Sequence, residues 1–329
     1  MAIINRTAKD YTMLTKNAAD NSELNSEILL LKNEHAYKKF PERIHNHFLK
    51  KKPMASFGWY DYSNLKPEVS GDETNARVDL IRRTLTKVPT GSAHIPGPSY
   101  SMFLEGAGKC TPKELAKLGM KALDVLNGNN EKKIDYVHIT SKAGTDLKVR
   151  IPEIIKWQPD YIIRPPGPYE DEPGVIGNFP FGEIFAEKDI GEYPVLFEAE
   201  GIYVSNISIG HINRLINPEK PVRLIFENSK LNNFECDDKE LYSAIAERLD
   251  SWGNVDKKIA EVGIGLNRYA RKTGNLLEDE KLAGTCHIAL DTNDNMGNHT
   301  DFITDKPDII ARRIDGKEVE IMKNGILKF

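Results

Sequence analysis

Cysteine is scarce in this 329-residue sequence, which contains only Cys110, Cys236 and Cys286, with no C-x-x-C spacing. An odd number of widely separated cysteines predicts neither a disulfide framework nor a structural zinc knuckle. Long apolar runs are also missing: no stretch approaches the roughly 20 residues of a membrane helix, and the N-terminus lacks the apolar core of a signal peptide. We therefore expect a cytoplasmic protein that does not bind membranes.

The charge balance shows no strong excess of either sign. The 45 Lys and Arg residues are opposed by 49 Asp and Glu residues, a net charge of -4, and no basic region stands out. Nucleic acids and anionic lipids require concentrated positive charge, so neither is expected as a partner. With 40% hydrophobic and 29% charged residues, the chain has the composition of an ordinary globular protein. The expected partner is a small molecule or peptide.

The first part of the sequence has the pattern of helices joined by irregular segments. Thr111 and Glu114 form a capping-box pattern, which predicts a helix from Thr111 to Asn127. A second helical segment is expected within Ser22 to Lys52. The Pro- and Gly-rich segment His94 to Tyr100 predicts a loop. Residues 1–132 are accordingly interpreted as a helix-rich N-terminal α/β domain.

From Ile134 onward the hydrophobic period changes to two, which is typical of strands. One helix is predicted between Asp237 or Asp238 and Gly253, and Asn324-Gly325 predicts a closing hairpin. Residues 133–329 are interpreted as a β-rich metal-binding catalytic domain. The whole chain is thus expected to have an α+β fold with two domains. Further strands are predicted at 136–140, 147–151, 195–198, 202–209, 222–226, 259–264 and 285–290.

Five residues of the second half have the chemistry of metal ligands. His299 and Asp301 are two positions apart, so on a strand they would project from one face. His287 lies in a strand-like apolar run, and Glu183 and Glu261 are carboxylates in apolar surroundings. Each has an ordinary alternative, either a hydrogen-bonded core histidine or a solvated strand face. Together they form a set of N and O donors suited to one or two Zn²⁺, Co²⁺, Mn²⁺ or Fe²⁺ ions.

Four motifs resemble, in order, the metal-binding segments of the aminopeptidase T/aminopeptidase S metallopeptidases. They are Gly-Asn-Phe-Pro-Phe-Gly-Glu183-Ile-Phe, Ala-Glu261-Val-Gly-Ile-Gly-Leu-Asn, Leu-Glu-Asp-Glu-Lys-Leu-Ala-Gly-Thr-Cys-His287-Ile-Ala-Leu and Asn-His299-Thr-Asp301-Phe. A further segment, Thr140 to Leu147, looks like another family segment, and the resemblance covers about residues 134–310.

The resemblance implies a co-catalytic metal pair held by Glu183, Glu261, His287, His299 and Asp301, with zinc as the expected ion. A metal-bound water would be the nucleophile, and Glu261 or Glu183 would carry its proton to the leaving amine. A homodimer is a further family-based expectation. The sequence is therefore interpreted as a metal-dependent hydrolase that cleaves an N-terminal peptide bond or a related amide bond.

One departure from the family pattern leaves alternatives open. The family peptidases carry a tyrosine between the strand histidine and the H-x-D pair, whereas residues 291–298 contain none. Tyr203 and Tyr269 are candidates to replace it. A related branch, the Fe(II)-dependent 2,5-dihydroxypyridine dioxygenases, has a histidine where this chain has Glu261. A tailoring enzyme of specialised metabolism is the third interpretation, and a pure binding protein ranks last.

Overall fold

The computed structural model of the protein describes residues 55–60, 91–96, 100–128, 134–162, 176–187, 197–292 and 299–329. The chain separates into two compact units, one within residues 1–101 and 162–179 and the other within residues 102–161 and 180–329. The described residues are mostly β-strands with few helices. No helix among them is both long and apolar enough to cross a membrane.

The strands and helices are numbered here in chain order. The strands are β1 (Ala55–Tyr60), β2 (Gly91–Pro96), β3 (Ile134–Thr140), β4 (Asp146–Arg150), β5 (Gln158–Pro159), β6 (Ile176–Asn178), β7 (Glu183–Glu187), β8 (Glu198–Ser205), β9 (Ser208–Ile209), β10 (Arg214–Leu215), β11 (Val222–Glu227), β12 (Lys230–Cys236), β13 (Lys258–Gly265), β14 (Thr285–Asp291), β15 (Thr300–Asp305), β16 (Asp308–Arg313), β17 (Glu318–Lys323) and β18 (Ile326–Leu327). The helices are α1 (Tyr100–Leu104), α2 (Pro112–Leu126), α3 (Lys239–Asp250) and α4 (Leu276–Asp279), with a 3₁₀ turn at Ala107–Lys109.

The strands form three sheets. A parallel three-stranded sheet has the order β1-β2-β6. In the second compact unit, an eight-stranded antiparallel sheet has the order β12-β11-β8-β4-β3-β16-β17-β18, and a seven-stranded antiparallel sheet has the order β10-β9-β15-β14-β13-β7-β5. The candidate ligands all lie on or beside strands of the seven-stranded sheet.

The two large sheets contact each other where β8 meets β15. The fully buried Tyr203 of β8 points its hydroxyl at the carbonyl oxygens of Cys286 and Phe302, at 2.8 and 3.1 Å. Ser205 Oγ, also on β8, donates to the carbonyl oxygen of Ile303 at 3.0 Å. Because buried polar atoms are costly unless paired, these bonds fix the position of β14, which precedes the H-x-D motif, and of β15, which begins at the middle residue of that motif, Thr300.

Several sequence predictions are confirmed element by element. The helix predicted from Thr111 is α2, with its capping box formed by Thr111 and Glu114. The helix predicted after Asp238 is α3, capped by the Asp238 side chain. Asn324 and Gly325 join β17 to β18 with φ of 48° and 75°, as a two-residue hairpin requires.

The loop predicted at His94 to Tyr100 is wrong at both ends. His94, Ile95 and Pro96 belong to β2, and α1 begins at Tyr100. Parallel pairing with β1 and β6 outweighs the local Pro and Gly signal, and Pro96 is tolerated as the last residue of the strand. The helical segment predicted at Ser22 to Lys52 lies outside the described residues.

The domain boundary predicted between residues 132 and 133 stays a prediction. Helix α2, which precedes it, belongs to the same compact unit as the two large sheets. Gly119 of α2 lies against Ile184 of β7 and Leu266, so this helix covers part of the seven-stranded sheet. The described residues before the boundary contain α1 and α2 but also β1 and β2.

Candidate metal centre

The register of the seven-stranded sheet brings the candidate ligands to one face. Glu261 on β13 pairs with Ala289 on β14, which pairs with Asp301 on β15. His287 and His299 lie two positions from Ala289 and Asp301, so strand alternation directs them to the same face. On the other side of β13, Glu183 pairs with Gly265. The pairing of four strands therefore gathers residues that are more than 100 positions apart in sequence.

Glu183, Glu261 and His287, here called the inner group, are buried together. His287 Nε2 lies 3.1 Å from Glu261 Oε1 and 3.4 Å from Glu183 Oε2. One ligand atom from each of the three lies within 4.8 Å of the others. Among the described residues, Glu183 Oε2 has no hydrogen-bond partner although it is buried. A buried, unpaired carboxylate oxygen beside an imidazole is the donor arrangement expected around a cation.

Glu261, His299 and Asp301, here called the outer group, lie next to the inner group. His299 Nε2 is 3.2 Å from Asp301 Oδ1 and 3.4 Å from Glu261 Oε2. The His299 side chain retains 32% of its exposure, so this group is more accessible than the inner one. Glu261 therefore directs one oxygen to each histidine, and its carboxylate is shared by the two groups.

The carboxylates of the cluster favour protonation of the two imidazoles. Burial opposes protonation of His287, but contact with Glu261 and the charge of Glu183 raise its pKa to about 9. Burial likewise opposes protonation of His299, but Asp301 and Glu261 raise its pKa well above the ordinary value. Because a metal ligand must be a neutral imidazole, ion binding would displace these protons. The donors thus fit a divalent cation, which would supply positive charge in place of these protons.

Gly263 makes room for the His287 ring. Gly263 pairs with His287 across β13 and β14, and a Cβ atom at this position would lie 2.0 Å from His287 Nε2. Contacts under 3.0 Å do not occur for real Cβ atoms, so the imidazole occupies the space that any other residue would fill. Gly263, two positions after Glu261, therefore leaves the space that the His287 ring occupies.

Replacement of Gly263 by alanine is expected to displace the His287 ring and weaken metal binding about tenfold or more, because a ligand would be lost from the inner group. Crowding should also destabilise the metal-free protein by about 1 to 3 kcal/mol. Metal content after dialysis and urea unfolding measure the two effects. Gly253→Ala is the control: its φ is 79° but its Cβ would meet nothing within 4 Å, so stability should fall while metal content is kept. Unchanged metal binding by Gly263→Ala would contradict this role.

A buried lysine holds the other oxygen of Glu183. Lys281 is fully buried and its Nζ bonds Glu183 Oε1, with Glu280 Oε1 at 2.8 Å and Asp160 Oδ2 at 3.4 Å. Asp160 in turn accepts the backbone N–H groups of Gly182 and Glu183 at 2.9 and 3.1 Å. Lys281 thus holds the carboxylate of Glu183, and Asp160 holds the backbone of the same residue.

The outer group is held by contacts to the backbone of the H-x-D segment. Arg248 of α3 donates from Nη2 to the His299 carbonyl oxygen at 3.2 Å and from Nε to Thr300 Oγ1 at 3.1 Å. The N–H of Gly210 donates to the Asp301 carbonyl oxygen at 2.8 Å. His211, the next residue, has φ of 66°, a left-handed conformation that is uncommon outside glycine. Nothing in the sequence around Gly210 or Arg248 identifies either residue as part of this site.

Neither candidate tyrosine has its hydroxyl bonded to the predicted ligands. The Tyr203 hydroxyl lies against backbone carbonyls between the two large sheets. The Tyr269 hydroxyl accepts from Arg268 at 2.7 Å, and Arg268 also pairs with Glu114 of α2. Cys286 is buried, and burial raises the pKa of its thiol. Strand alternation turns its side chain away from the face that carries His287.

The structure brings Glu183, Glu261 and His287 together in one group and Glu261 and His299 together in the other, with Asp301 Oδ1 3.2 Å from His299 Nε2. Their role as ligands stays a prediction, as does the catalytic role of Glu183 and Glu261. Sequence reasoning did not find Gly263, Lys281, Asp160 or Glu187. For Gly263 and Glu187 a signal existed: each lies two or four positions from a predicted ligand on the same strand, and therefore on the same face.

Comparison with known proteins shows the fold but no family. No family model matches the chain, and no curated protein sequence matches it. Aminopeptidase T (AmpT) from Thermus thermophilus is similar in structure, with a TM-score of 0.60 and 16% sequence identity over 98% of this chain and 92% of that chain. A 2,5-dihydroxypyridine dioxygenase from Pseudomonas putida has a TM-score of 0.48 and 14% identity over 90% of this chain and 98% of that chain. This chain has a fold similar to that of AmpT.

Proposed function

We propose that this protein is a metal-dependent hydrolase that cleaves an N-terminal peptide bond or a related amide bond. The observation that carries the proposal is the position of Glu261, whose Oε1 and Oε2 face His287 and His299 at 3.1 and 3.4 Å. A carboxylate that offers one oxygen to each of two donor groups suits a bridging ligand between two cations. The resemblance of the four sequence motifs to aminopeptidase T and the similarity of fold support the same assignment.

Glu183 and His287 would hold one ion together with Glu261, and His299 and Asp301 would hold the other together with Glu261. A divalent ion bound there would lower the pKa of a water molecule and polarise the scissile carbonyl. Glu261 or Glu183 accepts the proton from the attacking water and passes it to the leaving amine. Zinc is the expected ion, and Co²⁺, Mn²⁺ and Fe²⁺ also suit these donors.

One observation keeps the dioxygenase as a second candidate. His287, His299 and Asp301 supply two imidazoles and a carboxylate, the donor types of non-haem Fe(II) oxygenases. Against it, Glu261 stands where the dioxygenase branch has a histidine, and Glu183 adds a further buried carboxylate. The hydrolase explains all five residues, whereas the dioxygenase leaves both glutamates without a role.

The two candidates differ in what the purified protein consumes. Protein prepared without chelator is analysed for bound metal, then assayed with unblocked and N-acetylated aminoacyl p-nitroanilides in the presence of Zn²⁺, Co²⁺ or Mn²⁺. The proposal expects hydrolysis of the unblocked substrates that a chelator abolishes and added metal restores. Consumption of dioxygen with Fe(II) and 2,5-dihydroxypyridine, without amide hydrolysis, would replace the hydrolase by the dioxygenase. Hydrolysis of the N-acetylated substrates alone would indicate a different amide hydrolase, such as a tailoring enzyme.

Replacement of His299 by alanine is expected to reduce bound metal by about one equivalent per chain, because it removes the imidazole of the outer group. Metal analysis after dialysis against metal-free buffer measures the loss, and hydrolysis should fall with it. His138→Ala is a matched control, since His138 pairs with the exposed Asp146 on the eight-stranded sheet. Wild-type metal content in His299→Ala would remove His299 from the ligand set.

We propose a cytoplasmic location from the composition, and a homodimer from the resemblance of the sequence motifs to aminopeptidase T. The substrate is proposed to be a small peptide or amide, without a nucleic acid or membrane partner.

A further inference from the structure

Glu187 lies opposite Glu261 in the sheet, at the last position of β7. The antiparallel pairing of β7 with β13 places Glu187 directly across from Glu261 and Phe185 across from Gly263. Residues directly opposite on neighbouring strands point to the same face, with Cβ atoms about 5 Å apart. Glu187 therefore projects on the face that carries the inner and outer groups, and it is half-buried there.

A ligand atom of Glu187 is within reach of an ion held by the outer group. One donor atom each from Glu187, Glu261 and His299 lies within 4.8 Å of the other two. Asp301 Oδ1 adds a further oxygen 3.2 Å from His299 Nε2. Three carboxylates thus surround a single imidazole, and the charge of Glu187 contributes to raising the pKa of His299.

A second observation in the same cluster points to bound cations. Glu183 Oε2 in the inner group is only 4% exposed by residue and has no hydrogen-bond partner among the described residues. The nearby His287 Nε2 is 3.4 Å away and also contacts Glu261 Oε1, at 3.1 Å. The cluster therefore combines a buried acceptor that has no hydrogen bond with an excess of carboxylates, and bound cations explain both features.

We propose that Glu187 is a further ligand of the outer ion, in addition to Glu261, His299 and Asp301. This inference rests on the proposed function only for the presence of two ions. Three carboxylate donors and one imidazole form an oxygen-rich set, and carboxylate oxygens suit Mn²⁺. The outer position therefore binds Mn²⁺ through Glu187, and loss of this carboxylate weakens the binding of one ion and leaves the other unchanged.

Titration of the metal-free protein with Mn²⁺ tests the inference, with the free ion followed by its electron paramagnetic resonance signal. The wild type should bind two equivalents. Glu187→Gln should bind one equivalent about tenfold less tightly or worse, and the other equivalent as the wild type does. Glu219→Gln is the matched control, because Glu219 is an exposed glutamate in a turn. Glu187→Asp, which keeps the charge on a shorter side chain, should fall between the wild type and Glu187→Gln, and it serves as the test if Glu187→Gln does not fold.

Three outcomes separate this inference from the function. Unchanged affinity for both equivalents in Glu187→Gln, or in Glu187→Asp where that variant is the test, would overturn the role of Glu187 and leave the hydrolase intact. A wild type that binds only one equivalent would also overturn it. If the wild type binds two ions and hydrolyses no amide, and Glu187→Gln binds one of the two ions more weakly, Glu187 is upheld as a ligand and the proposed function is refuted.

Discussion

Replacement of Glu261 by glutamine is expected to lower kcat by about 10²- to 10⁴-fold, the usual cost of losing a general base. Glutamine has almost the same shape and can still offer an amide oxygen to an ion. It cannot accept a proton from the attacking water, and it lacks the second anionic oxygen that faces His299 in the native chain. KM should change little, because the substrate is not expected to depend on Glu261 for binding.

The assay must separate proton transfer from metal loss. Rates are therefore measured with saturating Zn²⁺ or Co²⁺, and bound metal is determined on the same samples. Glu219→Gln, an exposed glutamate, should hydrolyse as the wild type does. If Glu261→Gln binds two ions and retains full hydrolysis, Glu261 is not the proton carrier, and Glu183 becomes the candidate to be tested in the same way.

The predicted ligands could be found in the sequence because strand alternation needs only local information. His299 and Asp301 are two positions apart, and Glu183, Glu261 and His287 each interrupt an apolar run. An apolar context marks a polar residue as buried, and burial requires a partner. The buried strand β14 around His287 was predictable for the same reason, since its first six residues are all buried.

Lys281 and Asp160 could not be assigned in the same way because their roles depend on contacts between distant segments, and for Glu187 strand alternation predicts the face but not the neighbour. Glu187 acquires its neighbour Glu261 only through the register of β7 and β13. Lys281 follows Glu278, Asp279 and Glu280, a charged run that predicts a solvated surface, yet all four residues are buried. Asp160 contacts the Glu183 backbone from 23 positions away. Local composition carries no information about such contacts.

Lys281→Met is expected to destabilise the metal-free protein by about 3 to 5 kcal/mol, the cost of removing one partner from a buried ion pair. Methionine fills much of the lysine volume but supplies no charge, so Asp160, Glu183 and Glu280 would share one buried region without a cation between them. Urea unfolding in the presence of a chelator measures the change, because an ion beside Glu183 would replace part of the lost charge. Lys220→Met, at an exposed turn position, is the matched control and should leave stability nearly unchanged.

The deficit of Lys281→Met should grow as pH rises. Burial raises the pKa of Asp160 from 3.8 to about 7 and that of Glu280 from 4.5 to about 8, against the lowering effect of Lys281. A carboxyl group whose pKa is higher in the folded protein than in the unfolded chain stabilises the fold at a pH below its unfolded pKa. This stabilisation is lost as pH rises through the folded pKa, here between about pH 4 and pH 8.

In Lys281→Met the pKa values of Asp160 and Glu280 rise further, because the lowering effect of Lys281 is absent. At pH 5 the carboxyl groups are then neutral and need no cation, whereas at pH 8 they must either ionise unpaired or retain protons that the unfolded chain releases. The free energy of unfolding of Lys281→Met should therefore fall further below that of the wild type at pH 8 than at pH 5. An equal difference at the two pH values would show that Lys281 does not act through its charge.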